Sequence, residues 1–216
     1  MNDEGSSMNG GLGRVLVMGT GALGAFYGAR LAQAGVDVVF VARGATLEAL
    51  RRDGLRIDST AGSERVAPVR AVGSPAEAGP CDVVLVCVKS YDTDSAAAAL
   101  RPAVSADTIV LSLQNGVENE ARLAAALDLP PLLGGLTQIG AALTGPGVVR
   151  FESGGRIIFG EMDGQHTPRV DRLAALFAAA GIDHRASRHI AVMLWDKLAW
   201  NAAFNALTAV TQRTVG

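Results

Sequence analysis

Apolar residues in this chain fall first into short unbroken runs, each followed by a stretch of helical period. "RVLVMG" (14–19), "VDVVFVAR" (36–43), "DVVLVCVKS" (82–90) and "DTIVLSLQNG" (107–116) are continuous rather than alternating. That is the pattern of strands buried on both faces. Between them, "ALGAFYGARLAQAG" predicts a helix closed by Gly35, and "ATLEALRRDG" a short amphipathic one. "LRIDS" and "RVAPVRAV" read as extended segments joined by the turn "TAGSE". "TDSAAAALRPAV" predicts a helix with Thr93 or Asp94 as N-cap, and "VENEARLAAAL" another. Strands alternating with helices over short connections predict an α/β fold, a Rossmann-type doubly wound parallel sheet covered by helices on both faces.

The pattern changes after residue 130. "LLGGLTQIGAAL", "GVVRFESG" and "RIIFGE" read as an antiparallel extension of that sheet. "TPRVDRLAALFAAAG" reads as a helix with Pro168 in its first turn, and "IDHRAS" as a last strand. From about residue 188 a single long helical pattern takes over. The expected organisation is a tail over 1–13, a dinucleotide-binding domain over 14–187, and from 188 to 216 the first long helix of an all-α second domain.

Composition narrows the function classes. A formal net charge of −2 gives no electrostatic grip on nucleic acid. No uncharged apolar run reaches the length of a membrane span, and the opening "MNDEGSSMNGGLG" lacks the basic and apolar regions of a signal peptide. A floppy tail and a cytoplasmic protein are expected. The two cysteines, Cys81 and Cys87, have no metal-ligand spacing, and Cys87 reads as core packing within its strand. The three histidines form no cluster; only His189 lies near a candidate site.

Chemistry concentrates at two places. Gly19, Gly21 and Gly24 form G-x-G-x-x-G directly after the first buried strand and at the start of a helix. In that context Gly19 allows the tight turn, Gly21 lets main chain approach a pyrophosphate, and Gly24 lets helix pack on strand. The free N–H groups of the helix start then face the anion. Asp37 stands at the wrong end of the second strand to hold a ribose, whereas Arg43 ends it and suits a 2′-phosphate, so NADP is expected over NAD. Lys89 and Asn115 end later strands, where ligands bind in open sheets. The second place is "WDKLAWNAAFNAL" (195–207), where Lys197, Asn201 and Asn205 recur every four residues on a helix otherwise apolar nearly all round. Such a helix is expected to be buried. Its ammonium must then pair with a carboxylate, reach water, or line a polar pocket. A pocket for a small anion and an amide network tying helices together, with Asp196 pairing elsewhere, fit these residues equally well.

The chain resembles the ketopantoate reductases, or 2-dehydropantoate 2-reductases. The matching motifs are "GTGALG", "ARG", "VKS", "QNG", "GAALTGPGVVR" and "WDKLAWNAAFNALTAV", in that order over roughly residues 14 to 212. The resemblance implies an NADP-binding Rossmann domain joined to a helical domain, and NADPH-dependent reduction of ketopantoate to pantoate on the route to pantothenate. It implies that Gly19, Thr20, Gly21, Ala22, Leu23 and Gly24 cradle the pyrophosphate and that Arg43 meets the 2′-phosphate. Lys89 and Asn115 would border the cofactor, Asn115 also the substrate, and Ala141 would touch the cofactor through main chain. Lys197 would be the catalytic lysine, with Asn201 and Asn205 as substrate amides. Members of the family continue for about 80 to 100 further residues, a helical domain's worth, which supply a substrate-binding serine and a cofactor-binding acid. This chain stops at "TQRTVG". The expectation is therefore either a fragment or a helix whose bare apolar side packs on a second copy. Two other readings stay open: an NADP-dependent reductase of another 2-keto acid or an imine, and an inactive NADPH-binding protein.

Overall fold

The computed structural model describes residues 13–130 and 132–213; nearly all of the expected N-terminal tail lies outside them. Strands β1 (Arg14–Met18), β2 (Asp37–Val41), β3 (Leu55–Ser59), β4 (Gly62–Val66), β5 (Arg70–Val72), β6 (Val83–Val86), β7 (Ile109–Ser112), β8 (Leu133–Gly145), β9 (Val148–Glu161) and β10 (His184–Ala186) form one sheet. Its order is β4-β3-β9-β8-β7-β6-β1-β2-β5, with β10 beside β9. From β5 to β8 every pairing is parallel; β8 and β9 are antiparallel. From β1 the chain steps outward to β2, crosses to the opposite edge for β3 and β4, comes back to add β5 beside β2, and then places β6 on the other side of β1. The strand order therefore reverses at β1 and β6, where open sheets of this kind leave a crevice at the carboxyl ends of their strands.

The continuous apolar runs have the predicted cause. Val15 and Val17, Val38 and Phe40, Val83 and Leu85, and Ile109 and Leu111 point to one face. There they meet Tyr27 and Leu31 of α1 (Ala22–Gln33) and Phe177 of α5 (Pro168–Ala179). The intervening Leu16, Met18, Val39, Val41, Val84, Val86 and Val110 point to the other face. They pack on Ala97 and Leu100 of α3 (Thr93–Leu100) and on Leu123 and Leu127 of α4 (Asn119–Leu127). Successive strand residues face opposite ways, so a strand covered twice must be apolar throughout. Helix α2 (Gly44–Asp53) lies beside β5, and α6 (Ile190–Thr211) ends the described chain. No helix among the described residues is long and apolar enough to cross a membrane.

Several elements differ from their expected form. The hairpin of β3 and β4 is tighter than the five-residue turn read from "TAGSE": Ser59 Oγ accepts from Ala61 N at 3.2 Å and donates to Gly62 O at 3.1 Å, closing a turn over residues 60–61. "GVVRFESG" and "RIIFGE" are one strand, because Gly155 bulges out of the register between Ile139↔Gly154 and Gln138↔Arg156 instead of ending it. Helix α3 is entered through a 3-10 turn over Ser90–Asp92, which places its N-cap at Asp92. Cys87 lies one residue past β6, where it packs against the core as expected and is also partly exposed on a cleft wall. The long helix is not buried all round: of its residues only Ile190 and Leu194 are, packed on Leu136 of β8 and Ile158 of β9.

Candidate active site

The carboxyl ends of β1, β6 and β7 open into a cleft of about 980 Å³ whose far wall is α6. One wall is the glycine turn. Gly19 has φ +100°, and a Cβ there would stand 2.7 Å from Val88 Cγ1. A Cβ on Gly24 would run into the carbonyl oxygen of Gly19 and approach Val17 Cγ1 to 2.8 Å. Both positions are closed by sterics. Gly21 differs: nothing lies within 4 Å of its Cβ position, so open space faces the residue that caps α1. No side chain caps that helix start and no acidic residue occupies its first turn. Its free N–H groups and positive dipole end therefore point where an anion would be favoured. Ala22 and Leu23 line the cleft beside Gly21. Thr20 turns away: its Oγ1 donates to Val41 O at 2.9 Å, pinning the glycine turn to the end of β2.

Arg43 caps α2 at the mouth of a smaller cavity of about 220 Å³, which it shares with Gly19, Thr20, Thr46, Asp92 and Ser95. Val88 lines both cavities, so the small one lies on the other side of that residue from the cleft. No protein group bonds the Arg43 guanidinium among the described residues. Asp37 is committed elsewhere, to Arg14 Nε at 2.7 Å. Lys89 and Asn115 both line the cleft, on the loops that follow β6 and β7. Ala141 lines it from β8.

The third wall is one face of α6: Met193, Asp196, Lys197, Trp200, Asn201 and Asn205. Lys197 Nζ donates to the main-chain oxygen of Thr137 on β8 at 3.0 Å. Burial lowers its ammonium from the ordinary 10.5, because removing water penalises the charged form. The side chains of Asn201 and Asn205 make no hydrogen bond among the described residues. Among these residues no amide network ties α6 to another helix, and Asp196 pairs with no cation. Three groups that can hold a polar ligand converge on the space opposite the glycine turn. His189 caps α6 without a side-chain bond and does not line the cleft.

Motif reading did not reveal three cleft features. Trp200, half-exposed and packed on Phe204 at a centroid distance of 4.7 Å, supplies an aromatic wall. Its place in an apolar helix gave no hint of which face meets the cleft. Cys87 contributes a thiol that burial pushes up to about 12, which makes it a packing group rather than a nucleophile. Thr137 receives the lysine through main chain, which no side-chain pattern records.

Residues 15–164 match the family described as Ketopantoate reductase PanE/ApbA. The chain is 40% identical over 197 residues to the 2-dehydropantoate 2-reductase of Archaeoglobus fulgidus, covering 91% of this chain and 64% of that protein. With the enzyme of the same name from Halobacterium salinarum it shares 38% over 198 residues, covering 91% and 65%. The crystal structure of a PanE/ApbA family ketopantoate reductase from Ralstonia eutropha JMP134 superposes with a TM-score of 0.84 at 40% identity, covering 92% of this chain and 64% of that one. The chain thus spans a little under two thirds of the length of these relatives. On the family match and the shared fold, the chain belongs to the ketopantoate reductase family.

Proposed function

We propose that this chain carries the dinucleotide site and the catalytic lysine of an NADPH-dependent reductase that converts 2-dehydropantoate to pantoate. Residues 14–187 form its dinucleotide-binding domain, and the helix from 188 onward begins a helical second domain. The observation that carries this reading is the opposition of two walls across one cleft. A free helix start at Gly21 faces a half-buried Lys197 flanked by two unbonded amides.

The residues fit a dinucleotide phosphate. Gly21 leaves room for main chain to approach a pyrophosphate, Ala22 and Leu23 continue that surface, and the start of α1 supplies N–H donors. Arg43, unpaired among the described residues, suits a 2′-phosphate bidentately at the end of β2. Lys89, Asn115 and the main chain at Ala141 border the rest of the cofactor. When bound, NADPH supplies the hydride that reduces the keto carbon.

The protein's part is charge and orientation. As the ketone is reduced, negative charge grows on its oxygen, and the Lys197 ammonium stabilises it and gives up a proton from Nζ. A lysine lowered by burial releases that proton more readily than one in water. Asn201 and Asn205 donate to the substrate's carboxylate or hydroxyl and hold the keto group beside Nζ, with Asn115 on the facing loop.

The test is titration with NADPH and NADH, followed by NADPH oxidation with and without 2-dehydropantoate. Binding that favours NADPH, a preference narrowed by Arg43→Ala, and substrate-dependent oxidation are expected. A chain that binds neither nucleotide would overturn the reading. The exposed apolar side of α6 favours a second reading, nucleotide binding without turnover. Tight NADPH binding with no oxidation would select it, and oxidation with a different 2-keto acid would correct the substrate.

A further inference from the structure

Lys89 and Asn115 stand on separate loops, one after β6 and one after β7, yet both border the same cleft. What relates the two loops is buried beneath them. Thr93, the first residue of α3, is fully buried; Asn119, the first residue of α4, is 2% exposed, and Gln114 is 4% exposed. Gln114 Nε2 donates to Thr93 Oγ1 at 2.9 Å. Thr93 Oγ1 lies 2.8 Å from Ser90 O and 3.0 Å from Asn119 Oδ1, two acceptors for its single proton. Asn119 Nδ2 then donates to the main-chain oxygen of Asn115 at 3.0 Å. The polarity is consistent along the run, since the reversed Asn119 amide would set its oxygen against another carbonyl oxygen. The turn is shaped to match. Gly116 has φ +116°, and a Cβ there would press on Asn119 Nδ2 at 3.1 Å.

We infer that Thr93 and Asn119 are positioning residues, a buried bridge that holds the Lys89 loop and the Asn115 loop at a fixed separation and so sets the cofactor side of the cleft. The inference rests on the function proposed above. The bonds joining Gln114, Thr93 and Asn119 are buried and the one to the Asn115 main chain partly so; such bonds rigidify what they join, because a group left unpaired under burial carries its desolvation cost. The two helices are also linked outside, where Arg122 Nη2 meets Asp94 at 2.7 Å and Arg122 Nη1 reaches Ser90 O at 3.4 Å. That clamp is exposed and screened, so it contributes little to loop geometry.

The experiment compares Thr93→Val, which keeps shape and removes the hydroxyl, with Thr93→Ser, which keeps the hydroxyl, and with Arg122→Ala. Main-chain hydrogen exchange over residues 88–91 and 114–117 is read alongside NADPH affinity. Thr93→Val is expected to speed exchange in both loops and to weaken NADPH binding by about fivefold, the scale of one lost hydrogen bond, with Thr93→Ser and Arg122→Ala within about twofold of wild type. Unchanged exchange in Thr93→Val, or equal effects from Arg122→Ala, would overturn the bridge. Should Thr93→Val fail to fold, Asn119→Ala carries the same expectation for residues 114–117. A wild-type chain that binds no NADPH overturns the functional reading itself, and exchange distinguishes that failure from failure of the bridge.

Discussion

The two walls of the cleft are built on opposite terms. On the glycine side Gly19, Thr20 and Gly24 are each held by close neighbours, while Gly21 faces open space. Gly19 abuts Val88, Gly24 abuts Val17 and Gly19, and Thr20 is tied to β2. On the α6 side a 22-residue helix is anchored near its start, by Ile190, Leu194, the partly buried Met193 and the bond from Lys197 to Thr137. Two buried aliphatic side chains stabilise the packed helix by about 3 to 6 kcal/mol in gross terms. That suffices to seat the first turns of the helix and leaves the rest without tertiary support. Trp195, Trp200, Leu207 and Val210 are more than half exposed. The contrast is one of packing: the glycine side is fixed within its own turn, whereas among the described residues α6 meets the sheet near its start, through Ile190, Met193, Leu194 and Lys197. The two walls should therefore respond to substitution in different currencies, one in stability and the other in rate.

The largest expected effect is on rate. Lys197→Met should lower kcat by about 10²- to 10⁴-fold, the usual contribution of a positioned general acid together with charge stabilisation. NADPH affinity should stay near wild type, because the cofactor residues lie on other walls. Stability should change by no more than about 1 kcal/mol, since one hydrogen bond is lost while a desolvated ammonium is removed. The wild-type pH profile sharpens this. The donor must be protonated, so turnover is full below the Lys197 pKa and falls as pH rises through it. Burial lowers that pKa, so the fall begins at lower pH than an ordinary lysine would give. Steady-state kinetics across pH check both points; a variant that keeps normal turnover removes Lys197 from the mechanism.

Next in size is a stability effect on the opposite wall. Gly24→Val places a branched side chain against the Gly19 carbonyl and the Val17 methyls, where neither the turn nor β1 can yield. The expected cost is about 3 kcal/mol, the upper range of overpacking, or roughly 6 to 12 °C in Tm for a domain of this size. Nucleotide binding should weaken with it. A Tm within about 2 °C of wild type would show that the glycine turn is softer than its contacts indicate.

How far the sequence foretold this contrast follows from the physics of each region. The doubly wound sheet was legible because a strand covered on both faces must be apolar at every position, whatever its register. The glycine turn was legible because its constraints are local in sequence. Details that depend on a neighbour were not. The continuity of β9 rests on a bulge opposite β8, and the partial exposure of Cys87 on the cleft that opens beside the end of β6. The bridge of Thr93, Gln114 and Asn119 exists only because the sheet order sets β6 beside β7. Glu120 is the sharpest instance. Nothing in "VENEARL" marks it as buried, yet it is 3% exposed with both carboxylate oxygens unbonded. Burial pushes its carboxyl above the usual range; Ser112 is near enough to oppose this slightly but not in bonding geometry. On α6 the four-residue spacing of Lys197, Asn201 and Asn205 was legible as one face. The burial expected of so apolar a helix was not met, since burial needs partners that these residues do not provide.

The smallest expected effect tests that last point. Trp195 is 61% exposed and lies off the cleft, next in sequence to residues that line it. If the outer face of α6 meets only water, Trp195→Ser should shift stability by less than about 0.5 kcal/mol, as substitutions at surface positions without special contacts do. Nucleotide affinity and turnover should not change. Thermal denaturation at several protein concentrations is the measurement. A loss of about 2 kcal/mol, with a wild-type Tm that rises with concentration, would mean that a second copy covers this face in solution. The helix would then be held from both sides, and the weaker wall would owe its rigidity to assembly rather than to Ile190 and Leu194.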